Sequence, residues 1–426
     1  MTEFTTVEGN SRSLGDYSLQ LNRWFLKPIG AWPLPSASTS RLERIVSLIL
    51  NFLCYFFVLF TVIPCLFYLC LEDESVPVKL KTLGPFSHWF IGGINYTTLL
   101  LRGKEMHSCI KHVQNDWKII TRKEDQKVMV KYAKIGRFTA AFCAAFMQGG
   151  VLSHCTISAF TKEVIEVGNE TRTLRVLPCI SYKKLIPVDT NPTNAIVLAS
   201  QFVSGFIVNS SAAGAVSIAA VFAAHACGQL SIMTTWVNEY VTRSKNRNTN
   251  VGLKEIGKIV RHHLRILNFV TGIENVMTEI CFMELFKCTL NICMLGYYIL
   301  TELKNHNLQI TAVYSVILCS MIFNIFIICY IGDTLTEKCK NVGEAIYMTN
   351  WYYLPYKDIL DLVQIILRSS MVIKITAGKL VHMSIFTFGS VSNENSFRLF
   401  EPVAANDVTK YTLDLLMNKV VKFKNI

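Results

Sequence analysis

A chain of 426 residues in which 51% are hydrophobic and only 17% charged is too apolar for a soluble protein of that size, so a membrane protein is the expected class. Its formal net charge of +12 is spread between long apolar runs and forms no basic face interleaved with aromatics, which excludes nucleic acid as a partner. The 14 cysteines contain no C-x-x-C pair, and Cys54, Cys143, Cys281, Cys288, Cys293, Cys319 and Cys329 fall inside apolar runs, against a metal centre or a disulfide scaffold.

In chain order, residues 1–44 read as an N-terminal arm. Trp24 to Leu34 is aromatic and Pro-broken, and no cleavable signal pattern precedes it. Between Arg44 and Glu72 the run "IVSLILNFLCYFFVLFTVIPCLFYLCL" is uncharged and longer than the roughly 20 residues a helix needs to cross the hydrocarbon core. A second, more polar span falls between Lys81 and Arg102, and a third between Arg137 and Lys162. No charge occurs from Asp189 to Glu239, so the fourth span, near Ala195 to Ala219, is expected to continue beyond the bilayer. The fifth, near Ile273 to Leu300, carries Glu279, Glu284 and Lys287, which are costly in lipid and are expected to lie on protein in its lower half. The sixth runs uncharged from Leu308 to Gly332, and the seventh is expected from Ile375.

The expected fold class is therefore all-α, a polytopic membrane protein with seven transmembrane helices. Residues 45–335 hold the first six in one ligand-binding bundle, 336–374 a helical segment between spans six and seven, 375–391 the start of the seventh, and 392–426 an atypical polar tail. The N-terminal arm and the alternate loops that share its side carry roughly three times as many Lys and Arg as the remaining loops, which predicts a cytoplasmic N-terminus and, with seven crossings, an extracellular C-terminus. On that topology Asn169, in the connection between spans three and four, is the expected glycosylation acceptor, because the sequons at Asn95 and Asn209 lie within spans. Cys155 and Cys179 bracket the same outer connection and are the one pair expected to be able to form a disulfide there.

Catalytic motifs are missing: there is no G-x-S-x-G, H-E-x-x-H, P-loop or G-x-G-x-x-G after a strand, so an enzyme is not expected and no cofactor is implied. His112 and Asp116 share a helical turn and read as a solvated pair, and His262 and His263 read as ordinary loop residues. What the spans do offer is a cavity. Phe86, Trp89 and Phe90 recur on one stripe of span two, Met147, Gly150 and His154 on span three, and Phe202, Phe206 and Asn209 on span four, with Tyr314 on span six. Such walls suit small volatile or lipophilic ligands, although plain helix packing accounts for the same pattern. In the segment after span six, Leu360, Val363 and Leu367 keep helical spacing, and Trp351, Tyr352, Tyr353 and Tyr356 concentrate aromatics that fit either an interfacial belt or a subunit interface.

Several segments resemble the insect odorant receptors, most closely those of ants, bees and wasps. They are "NRWFLKPIGAWPL" from Asn22, "HACGQLSIM" from His225, "HHLRILNFVTGIENV" from His262, and "CYIGDTLTEKCKNVGEAIYMTNWYYLPY" from Cys329, continuing through "ILRSSMVIKITAGKL" to Leu380. The resemblance implies an odorant-specific subunit of a heterotetrameric, ligand-gated, non-selective cation channel in the plasma membrane of olfactory sensory neuron dendrites. Its implied partners are an odorant, a co-receptor subunit and membrane lipid. It further implies that Trp351 to Tyr356 belong to the subunit interface and that the last helix lines the pore, with Ser384, Thr387 and Val391 as its expected pore residues. From Val391 the tail has no counterpart in the family. Val391-Ser392 is what an in-frame splice donor encodes, so the tail reads as translated intron or an alternative exon, and a non-conducting truncated isoform is one alternative. A metabotropic seven-helix receptor is another, but it would need an outside N-terminus, an acidic-Arg-aromatic triplet after span three and Asn-Pro-x-x-Tyr in the last span. A transporter would need internal repeats, which are missing.

Overall fold

The structure is a computed structural model that describes residues 11–34, 40–167, 170–246, 253–371 and 373–390. Its helices are α1 Ser11–Leu26, α2 Arg41–Leu71, α3 Val76–Leu101, α4 Gly103–Ile119, α5 Lys123–Phe160, α6 Asn191–Asn246, α7 Leu253–Lys304, α8 Leu308–Tyr347 and α9 Tyr356–Ser370. Two short antiparallel pairs complete it, β1 Lys162–Val167 with β2 Glu170–Arg175, and β3 Thr376–Ala377 with β4 Val381–His382. Asn169 lies outside the described residues, as do Val391 and the whole tail.

Helix α6 is the axis. Its 56 residues reach about 84 Å at 1.5 Å per residue, well over twice the hydrocarbon thickness, in keeping with the expected continuation beyond the bilayer. It packs against α1, α2, α3, α5, α7 and α8, and its middle is buried on every side, which is what a helix without a polar face requires. Small residues such as Ala212, Ala213, Gly214 and Ala215 let its neighbours approach closely. By contrast α2 turns Phe52, Phe56, Leu59, Ile63 and Phe67 outward, as a lipid-facing helix should. Among the described residues, α2, α5, α6, α7 and α8 are long and apolar enough to cross a membrane. Helix α3 is more polar, with Lys79, Lys81 and His88, yet packs between α2, α6 and α7 in the same bundle.

Three expectations change. The seventh span does not open at Ile375: residues 376–382 form the β3–β4 hairpin, turning through Gly378 and Lys379 at φ of 61° and 59°, and helix resumes only at 385–390. Apolar composition alone could not reveal that turn. His112 and Asp116 are not a solvated pair. Asp116 is 4% exposed and accepts from His225 Nε2 at 2.9 Å, lies 3.4 Å from His112 Nε2, and is salt-bridged to Arg265, so one carboxylate joins α4, α6 and α7. Burial raises its pKa, but the hydrogen bonds from His112 and His225 outweigh that and hold the carboxyl well below the usual range. Nor are His262 and His263 loop residues: both lie in α7, where His263 is buried and His262 packs on the Trp236 ring at 4.8 Å. Apart from His112, each of these partners comes from a distant segment, which local spacing does not reveal.

The arm is tied down through Gly30. Its φ of 68° suits glycine, its carbonyl accepts from Ser47 Oγ at 3.1 Å, and the neighbouring Ile29 carbonyl accepts from Tyr96 OH at 2.7 Å. A Cβ at this position would stand 2.1 Å from Asn51 Oδ1. Gly30→Ala is therefore expected to lower stability by about 1–3 kcal/mol, seen as a lower midpoint of thermal unfolding for the detergent-purified protein. Asp116→Ala, which leaves Arg265, His112 and His225 facing one another, is expected to cost more in the same assay, about 3–5 kcal/mol.

Candidate functional site

Where α3, α5, α6, α7 and α8 converge there is a small cavity of about 20 Å³, space for one water molecule. Helix α3 contributes His88; α5 contributes Met147, Gly150 and Val151; α6 contributes Asn209. Lys287 comes from α7, and Ile317, Ser320, Met321 and Asn324 from α8. Gly150 lets α5 lie close against α8, since a Cβ there would lie 2.8 Å from Ser320 Oγ. Asn209 is held by its Nδ2, which donates to the Met147 carbonyl at 2.7 Å.

One wall of the cavity is ionic. Glu284 and Lys287 are each 1% exposed and lie one turn apart on α7, with Lys287 Nζ 2.8 Å from Glu284 Oε1. The same carboxylate accepts from Asn324 Nδ2 of α8 at 2.8 Å and from Asn95 Nδ2 of α3. A charge this deep is tolerated only when paired and hydrogen-bonded, and here three donors meet two oxygens. Glu279, by contrast, is half-exposed and pairs with Arg102 at the end of α3. Beside the ion pair, His88 Nδ1 and Nε2 and Asn324 Oδ1 are buried without hydrogen-bond partners among the described residues. The cavity thus combines methionine and aliphatic walls with unused donor and acceptor capacity at one side.

The structure brings together Met147, Gly150 and Asn209 of the expected pocket residues. Trp89 is buried against Gly205 on α6, and Tyr314 is half-buried with its ring 5.5 Å from Tyr298. Phe86, Phe202 and His154 are half-buried outside the cavity wall. Phe90 and Phe206 are at the bundle surface, 47% and 46% exposed, which corrects their place as pocket walls. Helical spacing rightly groups Phe86 with Phe90, whose rings stack at 5.6 Å, but does not say which stripe faces inward. On α3 the inward stripe is Ser87, His88, Ile91 and Asn95. His88, Val151, Lys287, Ile317, Ser320, Met321 and Asn324 were missed. The available signal was Ser320 and Asn324, an i, i+4 polar pair inside the uncharged run of α8.

Beyond the cavity, Tyr298 of α7 reaches into α3. Its hydroxyl accepts from the Gly84 N–H at 3.2 Å and donates to the Leu80 carbonyl at 2.6 Å, so it sits in the helical ladder between a donor and the acceptor four residues before it. Glycine is required there because a Cβ would lie 2.6 Å from that oxygen. Of the expected pore residues, Ser384 and Thr387 lie 3.1 Å apart through their hydroxyl oxygens, at the start of the helix at 385–390. Trp351 is half-buried, whereas Tyr352, Tyr353 and Tyr356 are exposed. Cys155 and Cys179 are both free thiols.

This arrangement defines a multi-pass helical membrane protein whose helices converge on a small internal cavity. Residues 75–394, three quarters of the chain, match the family model described as 7tm Odorant receptor, and the chain belongs to the insect odorant receptor family, a family of receptors and not of enzymes. The match ends at residue 394, so almost all of the atypical tail falls outside it. Odorant receptor 10 of Aedes albopictus is 30% identical over 149 residues, 35% of this chain and 38% of that one. Odorant receptor 13a of Drosophila melanogaster is 22% identical over 208 residues, 46% of this chain and 50% of that one. The chain thus spans half or less of the length of these curated relatives. The solved insect olfactory receptor OR5 from Machilis hrabei shares the fold, with a TM-score of 0.72 at 15% identity, covering 92% of this chain and 99% of that one. The same receptor in complex with eugenol gives a TM-score of 0.71 at 13% identity, covering 93% and 100%.

Replacing Tyr298 by Phe strips the Gly84 N–H and the Leu80 carbonyl of their shared partner. The expected loss is about 1–3 kcal/mol of stability, measured by thermal unfolding, with Tyr298→Leu losing more because the ring contact to Tyr314 also goes.

Proposed function

We propose that the chain is the odorant-specific subunit of a heteromeric, ligand-gated, non-selective cation channel, and that the cavity between α3, α5, α6, α7 and α8 receives the odorant. The observation that carries this reading is the cavity itself, apolar on most sides and flanked by a neutralised ion pair and unpartnered polar atoms. The fold it shares with a receptor solved in complex with eugenol supports the same reading. Because the Glu284–Lys287 pair carries no net charge, the site favours a small neutral molecule, largely apolar, with one hydrogen-bonding group for His88 or Asn324. At 20 Å³ the cavity must widen on binding, and the flexible Met147 and Met321 side chains are the walls best able to move.

Assembly with a co-receptor accounts for a second feature. Helix α9 buries Asp358, Leu362, Ile365 and Ser369 on one face and exposes Tyr356, Leu360, Val363 and Leu367 on the other, with exposed Met371 just past its end. That stripe, continued by Tyr352 and Tyr353, is the subunit contact in this reading. The N-terminus is cytoplasmic and the β1–β2 end faces outside. Asn169 is glycosylated, and the complex resides in the dendritic plasma membrane of olfactory neurons. The residues that follow α9, including Ser384 and Thr387, lead into the pore.

Odorant-evoked cation current is expected in cells expressing the chain with its co-receptor, and it should persist when G proteins are blocked. Loss of all current under that blockade would favour a metabotropic receptor. In the same recordings Gly150→Ala, which places a methyl group against Ser320, should raise the half-maximal odorant concentration by about tenfold or more at unchanged surface abundance.

A further inference from the structure

The outer connection between β2 and α6 is fixed to the bundle from two sides. From α6, Gln201 holds Cys179 by its backbone: the Cys179 N–H donates to Gln201 Oε1 at 3.1 Å, and Gln201 Nε2 donates to the Cys179 carbonyl at 2.7 Å. From α2, the Pro64 carbonyl accepts from the Tyr182 N–H at 3.2 Å. These bonds bring Cys179 beside the next residue of α2, Cys65, and the two thiols lie within hydrogen-bonding reach of each other. Both are fully buried, at 0% and 1% exposure, and both are free. Cys155, which the sequence pairs with Cys179, instead turns its Sγ toward Gly205 of α6.

We infer that Cys65 and Cys179 form a disulfide in the mature protein, a staple that locks the outer connection onto α2. The inference rests on the orientation proposed above, with the β1–β2 end on the oxidising side of the membrane. Chemically, one thiolate attacks a disulfide of a thiol–disulfide oxidoreductase in the secretory pathway, giving a mixed disulfide, and the second thiolate displaces the oxidoreductase sulfur. Two protein thiols lose their protons and two electrons, and the oxidoreductase leaves as a dithiol. The step belongs to folding, before burial closes access to either sulfur. Cys227 on α6 and Cys339 on α8 are a second pair of neighbouring buried thiols, several turns farther along the bundle, where the same orientation keeps them reduced.

The test uses the full chain from eukaryotic cells, alkylated under denaturing, non-reducing conditions, digested and analysed by mass spectrometry, with an N-terminal tag scored for accessibility in intact cells. The expected result is a cross-linked peptide pair containing Cys65 and Cys179, two hydrogens lighter than its reduced parts, with Cys155, Cys227 and Cys339 alkylated and the tag protected. In Cys65→Ser, Cys179 should become fully alkylated. Alkylation of both Cys65 and Cys179 with the tag still protected would overturn the bridge while leaving the proposed orientation standing. Alkylation of both with the tag exposed would overturn bridge and orientation together. A Cys155–Cys179 bridge would overturn the assignment of the partner.

Discussion

The cavity depends on one carboxylate. Glu284 accepts from Lys287 on its own helix, from Asn95 on α3 and from Asn324 on α8, so three helices that line the cavity share a single acceptor. In a bundle surrounded by lipid, no solvent is available to satisfy these groups if they separate. Association of the helices is then favoured less by apolar burial, which lipid offers equally, than by close packing and by the need to keep this charge paired. The arrangement also sets the chemistry of the cavity. A paired Lys287 contributes hydrogen-bonding capacity without net charge, and His88 and Asn324 retain unpartnered atoms beside it.

Around this node the other contacts act as spacers and clamps. Helix α6 supplies the apolar axis, and three of its polar residues each serve a defined neighbour: Gln201 the connection between β2 and α6, Asn209 the Met147 carbonyl, and His225 the Asp116 carboxylate. Asp116 repeats, at the α4 end, what Glu284 does in the middle, gathering α4, α6 and α7 on one buried acid. Because α7 and α8 extend from the cavity to α9 and the β3–β4 hairpin, the spacing of α5 and α8 at Gly150 and Ser320 is set on a helix that also packs against α9.

Uncharged runs bounded by Lys, Arg, Asp and Glu made the long helices legible in the sequence, and the continuous absence of charge before Glu239 announced a helix longer than one crossing requires. The oddity of Glu284 and Lys287 within a span was legible too, as a demand for partners. Their identity was not, because Asn95 and Asn324 lie far away in the chain and neither is unusual by itself. The same limit explains Asp116, whose nearest sequence neighbour, His112, is only one of its partners, and Cys179, whose thiol neighbour is on α2 and not on α5. For Phe90 and Phe206 the periodicity was right and the facing wrong, since a stripe of aromatics suits lipid as well as a pocket. The β3–β4 hairpin escaped because the mostly apolar run that begins at Leu380 reads as the opening of a helix, and the Gly378-Lys379 turn just before it was not weighed against that run.

The Glu284–Lys287 pair, with its two amides, holds α3, α7 and α8 together around the cavity. A double-mutant cycle on stability in lipid nanodiscs tests it most directly, comparing Glu284→Gln, Lys287→Met and the combined variant. Each single change strands a buried group and should cost about 3 kcal/mol or more, whereas the double variant should lose no more than either single one. Losses that simply add, or single variants as stable as the parent, would contradict the account.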